Sequence, residues 1–364
     1  MNEASRLRAL RGKLTEQEIE SLLVTHPANV RYLCGFTGSN AALIITAKKA
    51  MLFTDGRYTV QARQETQGAS VVIAKKSVLN EACALLESLV GKKGQAAYDP
   101  WYTTVSDLAL MRSAISGARR RGFFSPLEMP IVAELRMVKD ADELKRMTEA
   151  AALGNRVFHA ILPHIQGGVS ENEIAASLEF FARSMGAEGM SFETIVASGP
   201  RSALPHGRAS SHRTPRNGFV TLDFGVILKG YCSDMTRTVC IGKPGAAERS
   251  AYDAVLEAQE AAVVAVRPGA TCGEVDEAAR GTLRRAGLAK YFTHSTGHGV
   301  GLEIHESPRI GAGQTLELKP GMVITIEPGI YMPGKFGIRI EDMVAVTERG
   351  GKVLTPVTKA LIEL

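Results

Sequence analysis

The 364-residue chain is short of several features, and each shortage removes a class of function. Its five cysteines, Cys34, Cys83, Cys232, Cys240 and Cys272, are scattered and odd in number, and none forms a Cys-x-x-Cys pair. That usage argues against a disulfide framework and suits a reducing cytoplasm. No apolar run approaches the length of a membrane span. The start, "MNEASRLRALRGKL", is charged and amphipathic with no apolar signal core, so the expectation is a cytoplasmic protein beginning at Met1. Charge imbalance is also small: the net +5 is too little for this length to imply a nucleic-acid partner. One basic block stands out, "RRRG" at Arg119 to Gly122, and it reads as a solvated linker. What is present is ordinary globular composition, 45% hydrophobic and 22% charged, long enough for two domains with real cores.

Residues 1–125 alternate short apolar segments with helical ones. "SLLVT", "AALIIT", "AMLFT", "SVVIA" and "QAAYD" read as strands, and "YTVQARQET" and "LNEACALLESLV" as helices. This is the pattern of an α/β layer domain. "RRRGFFSPLEMP" then mixes charge, glycine and proline and marks a boundary, leaving 126–364 as a second domain.

The second domain has a different order. Asp140 with Glu143 forms a capping box ahead of a helix carrying Leu144, Met147, Ala151, Phe158 and Ile161 at helical spacing. A second helix is capped by Ser170 with Glu173 and ended by Gly186, and strands run from 192 to 241. "AERSAYDAVLEAQEAAVVAV" then opens another helix pair, whose second member is capped by Thr271 with Glu274 and ended by Gly287. Caps and terminal glycines thus recur at an offset of 101 residues, with strands again from 298 to 347. The reading is a duplicated α+β unit around a shared sheet, with a site expected where the halves meet.

Within "TLDFGVILKGYCSDMTRTVC" the chain turns at Leu228-Lys229-Gly230 between two apolar runs, which signals a β-hairpin. Closed by an even-numbered loop, the hairpin pairs residues whose numbers sum to an odd value. Asp223 and Asp234 then share a face, directly opposite or one diagonal step apart. Two such charges about 4 Å apart repel by roughly 4 kcal/mol at an effective dielectric of about 20, so a cation or a shared proton is needed. The alternative is a displaced turn with one aspartate exposed.

"VITIEPGIYMPGKFGIRIEDMVAV" repeats the logic: a three-residue loop centred on Gly334 sets Glu327 opposite Glu341, with Arg339 and Glu341 on one face. "HSTGHGVGLEIHE" adds His294, His298 and His305 among glycines. Four carboxylates and a glycine-flanked imidazole form a hard-oxygen set, unlike thiolate or three-histidine zinc sites. Two divalent cations bridged by Asp234 and Glu341 would balance the charge and lower the pKa of a bridging water towards roughly 7. Singly, each residue also has a structural reading: a surface hairpin for the aspartates, a turn cap for Glu327, a loop for His298.

Together, "LDFG", "CSDMTRT", "TGHGVGLEIHE", "TIEPGIY" and "IRIEDM" resemble the pita-bread metallopeptidase family, from about residue 130 to the end. That family includes methionine aminopeptidase, aminopeptidase P, prolidase and creatinase. The resemblance implies metal ligands at Asp223, Asp234, His298, Glu327 and Glu341, holding two ions of Mn²⁺, Co²⁺ or Zn²⁺, with Mn²⁺ favoured by the oxygen-rich set. "THPANVRYLCGFTGSN" and "FTDGRY" more loosely resemble the creatinase-type N-terminal domain, which methionine aminopeptidases lack. Creatinase-like members lack the ligands, so the Xaa-Pro branch remains. By that resemblance Glu327 would be the general base, and His206 of "LPHG" and His305 would stabilise the tetrahedral intermediate. It likewise implies that His294, Arg339 and Tyr331 contact or orient substrate and ligands. Arg309 is a candidate for the free carboxylate of a dipeptide, or else a solvated loop residue. The expectation leans to a prolidase acting on Xaa-Pro dipeptides over an aminopeptidase acting on longer peptides, and the resemblance implies a homodimer. A metal-free scaffold on the same fold is the rival from another class.

Overall fold

The apolar segments near the N-terminus pair into one mixed sheet. In the computed structural model, which describes residues 3–91 and 94–364, its order is Ser70–Ile73, Ala50–Thr54, Ala41–Thr46, Ser21–Val24, Ala96–Tyr98 and Phe124–Pro126. The expected helical stretches fold as Thr59–Glu65 and Val78–Leu89, the latter capped by the Ser77 hydroxyl. Leu23, Ile44, Phe53, Leu86 and Phe123 belong to the core that Val78–Leu89 shares with the sheet. The charged N-terminal stretch is a helix over Glu3–Glu16; its first two residues lie outside the described ones.

The boundary expected at residue 125 moves. Phe124–Pro126 is an edge strand parallel to Ala96–Tyr98, a place where proline is tolerated because its missing N–H faces no partner. Farther on, Lys13 reaches Glu134 at 3.1 Å and Arg136 donates to Asn29 Oδ1 at 2.7 Å. The units are therefore Met1–Arg136 and Met137–Leu364. Nor is "RRRG" simply a solvated linker, since Arg119 donates to the carbonyls of Gly91 and Gly94 at 3.0 and 2.9 Å. Among the described residues no helix is long and apolar enough to cross a membrane.

In the second unit the four helices are Ala141–Ile161, Glu171–Ser184, Ala246–Ala265 and Cys272–Arg285, and the expected caps at Asp140, Ser170 and Thr271 are all made. Each half has its own core. Phe158 and Leu178 pack on Val220 and Leu222, while Val255 and Leu283 pack on Ile324 and Ile326. Burying each such side chain contributes about 1.5–3 kcal/mol. The strands do not make one shared sheet. They divide among sheets of three, three, five and two strands, because both long hairpins are interrupted midway.

The C-terminal segment is tied to these hairpins by charge. Arg237, 2% exposed, pairs with Asp342 at 2.7 Å, and Asp342 is fully buried. Its guanidinium also donates to the carbonyls of Thr355, Val357 and Thr358. Removing Arg237 leaves Asp342 with the more distant Lys359, at 3.4 Å, and takes a donor from the buried Thr355 and Val357 carbonyls. Breaking a buried pair in this way costs about 3–5 kcal/mol. Arg237→Ala is therefore expected to lower unfolding stability in urea by that amount, and a loss below about 1 kcal/mol would contradict the buried-pair assignment.

Candidate active site

Both hairpins break where they carry charge. In the first, Gly218–Phe224 pairs with Met235–Ile241 so that Thr236 faces Asp223, and Asp234 sits one diagonal step on. The turn is Lys229-Gly230, at φ 51° and 77°. Between ladder and turn, Gly225 comes so close to Ser233 that an added Cβ would lie 1.8 Å from its carbonyl oxygen. In the second hairpin, Val323–Ile326 pairs with Asp342–Thr347, and Gly329–Met332 with Phe336–Arg339. One register runs through both ladders, so Glu327 and Glu341 are opposite each other in the gap between them. Pro328, which has no N–H to offer a ladder, helps to open that gap. The hairpins join side by side, with Glu341 N donating to Thr236 O at 3.1 Å and Thr238 Oγ1 donating to Arg339 O at 3.0 Å.

Every residue singled out from the sequence lines one cavity of about 550 Å³. Asp223, Asp234, His298, Glu327 and Glu341 form its floor of ligand-type groups, and His206, His294, His305, Arg309, Tyr331 and Arg339 complete it. Ligand atoms of Asp234, His298 and Glu341 lie within 4.8 Å of one another. His298 Nδ1 faces the Gly299 carbonyl at 3.0 Å, so it carries the proton. Nε2 is thereby left as a bare lone pair, 3.4 Å from Glu327 and 3.6 Å from Asp234. A lone pair set among carboxylate oxygens suits a cation. Buried Oδ1 atoms of Asp223 and Asp234 also lack a hydrogen-bond partner, which is costly unless a cation satisfies them. The donor set fits divalent metal.

Around this floor runs a directional chain of hydrogen bonds. Arg339 pairs with Asp223 Oδ2 at 2.5 Å and donates to Tyr331 Oη at 2.6 Å. Tyr331 lies 2.9 Å from His294 Nε2, and His294 Nδ1 lies 2.7 Å from Ser295 O. Because a carbonyl can only accept, His294 holds its proton on Nδ1 and takes the Tyr331 hydrogen on Nε2. His305 is exposed and packs edge-on to His298 with ring centroids 4.5 Å apart, while His206 is exposed on its own loop. Arg309 donates to Ser295 Oγ at 2.7 Å.

The sequence reading missed Thr236, which is fully buried and donates to Glu341 Oε2 at 2.6 Å while accepting from Arg339 Nε at 3.1 Å. Strand alternation carried the signal, since Thr236 is two residues after Asp234. It also missed the wall of Phe192, Glu193, Ile195, Arg208 and Ile304, for which no local pattern exists.

Residues 145–348 match the model of metallopeptidase family M24, and residues 6–138 match the creatinase/prolidase N-terminal domain. The chain belongs to metallopeptidase family M24. Over its whole length it superposes on a Xaa-Pro dipeptidase from Bacillus anthracis, with TM-score 0.94, 39% identity and 100% of both chains covered. A Xaa-Pro dipeptidase of Pyrococcus furiosus is 36% identical over 98% of this chain and 99% of its own. An X-Pro aminopeptidase from Thermotoga maritima has TM-score 0.88 and 37% identity, covering 98% of this chain and 99% of its own. The architecture is accordingly the pita-bread fold behind a creatinase-type N-terminal domain.

Electrostatics of this M24 site follow from burial. The carboxyl of Asp234 is pushed well above the ordinary range by desolvation and then by Glu341, Asp223 and Glu327. That of Glu341 is raised by desolvation and then by Glu327 and Asp223. Glu327 is pushed up to about 7 by burial, against the pull of Arg339. Burial works oppositely on imidazole, holding His294 down at about 4 and depressing His298 and His305. In metal-free protein the raised carboxyls favour the fold below the ordinary carboxylate range, and that benefit is lost as pH rises through about 7 for Glu327. The depressed histidines give stability that is present above their unfolded range and lost on acidification. Metal must therefore displace protons from the carboxyls. Mn²⁺ titrated into chelator-treated protein is expected to release protons at pH 7 and to bind more tightly at pH 8 than at pH 6. Calorimetry in buffers of different ionisation enthalpy reads both, and a pH-independent affinity would contradict the shared-proton picture.

Proposed function

We propose that this M24 chain is a metal-dependent Xaa-Pro dipeptidase. The observation that carries the reading is the convergence of four carboxylates, one lone-pair imidazole and three further histidines on one cavity, in a chain resembling Xaa-Pro dipeptidases end to end. Asp223, Asp234, His298, Glu327 and Glu341 would hold two divalent cations, and four carboxylates with one imidazole favour Mn²⁺ over Co²⁺ or Zn²⁺. Bound there, the ions offset the carboxylate charge and acidify a water enough to serve as nucleophile near neutral pH.

Glu327 is then the general base that takes a proton from the attacking water. A peptide bond to proline has no N–H, and its nitrogen leaves as an amine that needs a proton, which Glu327 can return. His305 and His206 donate to the oxygen that gains charge in the tetrahedral intermediate, the interaction whose loss typically costs 10²–10³-fold in rate. Arg339, tied to Asp223 and Tyr331, keeps the floor in place, and Tyr331 orients His294 against the substrate. Arg309 lines the cavity with one nitrogen tied to Ser295, and its guanidinium suits the carboxylate of a C-terminal proline.

A second reading, Xaa-Pro aminopeptidase acting on longer peptides, is favoured by the likeness to the Thermotoga maritima enzyme. We further infer a homodimer, testable by sedimentation. Five free, buried cysteines support a cytoplasmic setting.

Cleavage of an Xaa-Pro dipeptide beside an Xaa-Pro-Xaa tripeptide, after chelation and Mn²⁺ return, decides between these readings. Asp234→Asn is expected to lose more than about 100-fold in activity, since even the partners of metal ligands are worth 10–100-fold. Arg309→Ala is expected to raise KM for the dipeptide about tenfold to hundredfold with kcat little changed, the loss of one charged hydrogen bond. Equal cleavage of the tripeptide, with Arg309→Ala silent, would make the protein an aminopeptidase. Absence of metal-dependent cleavage of either would sink the assignment.

A further inference from the structure

Two buried carboxylates outside the cavity have no part in the chemistry above, yet each is fully engaged with a segment that carries a cavity histidine. Glu171 is 0% exposed and is the first residue of the helix Glu171–Ser184. Its Oε1 accepts from Ser198 N at 2.9 Å and Ser198 Oγ at 3.0 Å. Its Oε2 accepts from Arg201 Nε at 3.0 Å and Ser210 Oγ at 2.7 Å, and Arg201 donates onward to Arg208 O at 2.8 Å. One carboxylate thus holds the chain before and after His206. The His206 ring is exposed, so the backbone of this loop aims it.

Asp276 does the equivalent in the other half. It is 1% exposed, on the helix Cys272–Arg285. Its Oδ1 accepts from Thr296 N at 3.2 Å and Thr296 Oγ1 at 2.8 Å, and both its oxygens accept from Arg280, at 2.9 and 3.0 Å. Arg280 in turn donates to Phe292 O at 3.2 Å and His294 O at 2.9 Å. Both carboxylates sit on the second helix of their half, and both pin the segment that leads a histidine into the cavity. A buried charge is weak evidence for stability, because an apolar contact of similar volume often does as well. What a multiply bonded carboxylate adds is fixed geometry.

We propose that Glu171 and Asp276 are positioning residues, Glu171 for His206 and Asp276 for His294. The proposal rests on the reading of those histidines as groups that act on the substrate. Misplacing such a group by about 1 Å costs on the order of 100-fold.

Crossed double-mutant cycles test it. Glu171→Gln and Asp276→Asn are each combined with His206→Ala and with His294→Ala, and kcat and KM on an Xaa-Pro dipeptide are measured with Mn²⁺, beside thermal stability. Glu171→Gln is expected to lower kcat about tenfold to hundredfold in the wild-type background, to lose that effect in His206→Ala, and to keep it in His294→Ala. Asp276→Asn is expected to give the mirror pattern, losing its effect only in His294→Ala. Equal losses in both histidine backgrounds, or no loss, would overturn the proposal and leave two structural carboxylates. Histidine-selective ¹⁵N spectra of the zinc-loaded protein supply a readout that needs no turnover. Glu171→Gln is expected to move the His206 resonance alone, and Asp276→Asn that of His294 alone; shifts across all the cavity histidines would also overturn it. Selective shifts in a protein that fails to cleave Xaa-Pro substrates would instead sink the functional reading and leave the positioning intact. Where Glu171→Gln does not fold, Ser210→Ala removes one loop-side anchor and carries the same expectations.

Discussion

Four carboxylates share one cavity floor with Arg339 among them, and the second unit is organised around that repulsion. Asp223, Asp234, Glu327 and Glu341 would move apart if the backbone beneath them could relax. It cannot, because each pair belongs to a hairpin whose register is locked at both ends by ladders. Thr236 and Arg339 then link one hairpin to the other through Glu341 and Asp223. The strain of bringing like charge together is held by ordinary β pairing and by the two apolar cores on either side.

The interruptions in those hairpins are as necessary as the ladders. A continuous antiparallel strand spends its backbone groups on its neighbours and sends alternate side chains to fixed faces. At Gly225 and Pro328 the pairing lapses, and the strands change sheets there. Carboxylates at the lapse project into a cavity instead of a core. A side chain at position 225 would collide with Ser233, so the close approach requires glycine.

Beyond the carboxylates, the imidazoles are prepared by their hydrogen bonds. Gly299 O and Ser295 O hold the protons of His298 and His294 on Nδ1, which presents one bare nitrogen to the floor and the other to Tyr331. Burial disfavours the charged form of both. The same ring type therefore serves two purposes a few ångströms apart, a lone pair for a cation and an acceptor within a chain that ends on Arg339.

Much of this was legible in the sequence, for a physical reason. Hairpins are local, so the parity of Asp223 and Asp234 and the loop centred on Gly334 were enough to set Glu327 opposite Glu341 and both aspartates on one face. Helix caps are local too, and Asp140, Ser170 and Thr271 were read correctly from spacing alone. Local reading failed where the partner was distant or the pattern ambiguous. "RRRGFFSPLEMP" had the composition of a linker, yet pairing with Ala96–Tyr98 makes part of it an edge strand, and the boundary shifts to Arg136. The lapse that splits the expected shared sheet depends on how two halves meet. So do the bonds from Arg339 to Asp223, from Thr236 to Glu341 and from Arg237 to Asp342, which join residues more than 100 positions apart. By itself the sequence determined which groups could share a face, because strand and turn geometry repeat every few residues. Only the tertiary structure decided which of those faces meet, because that depends on packing two cores against each other, and no local spacing encodes it.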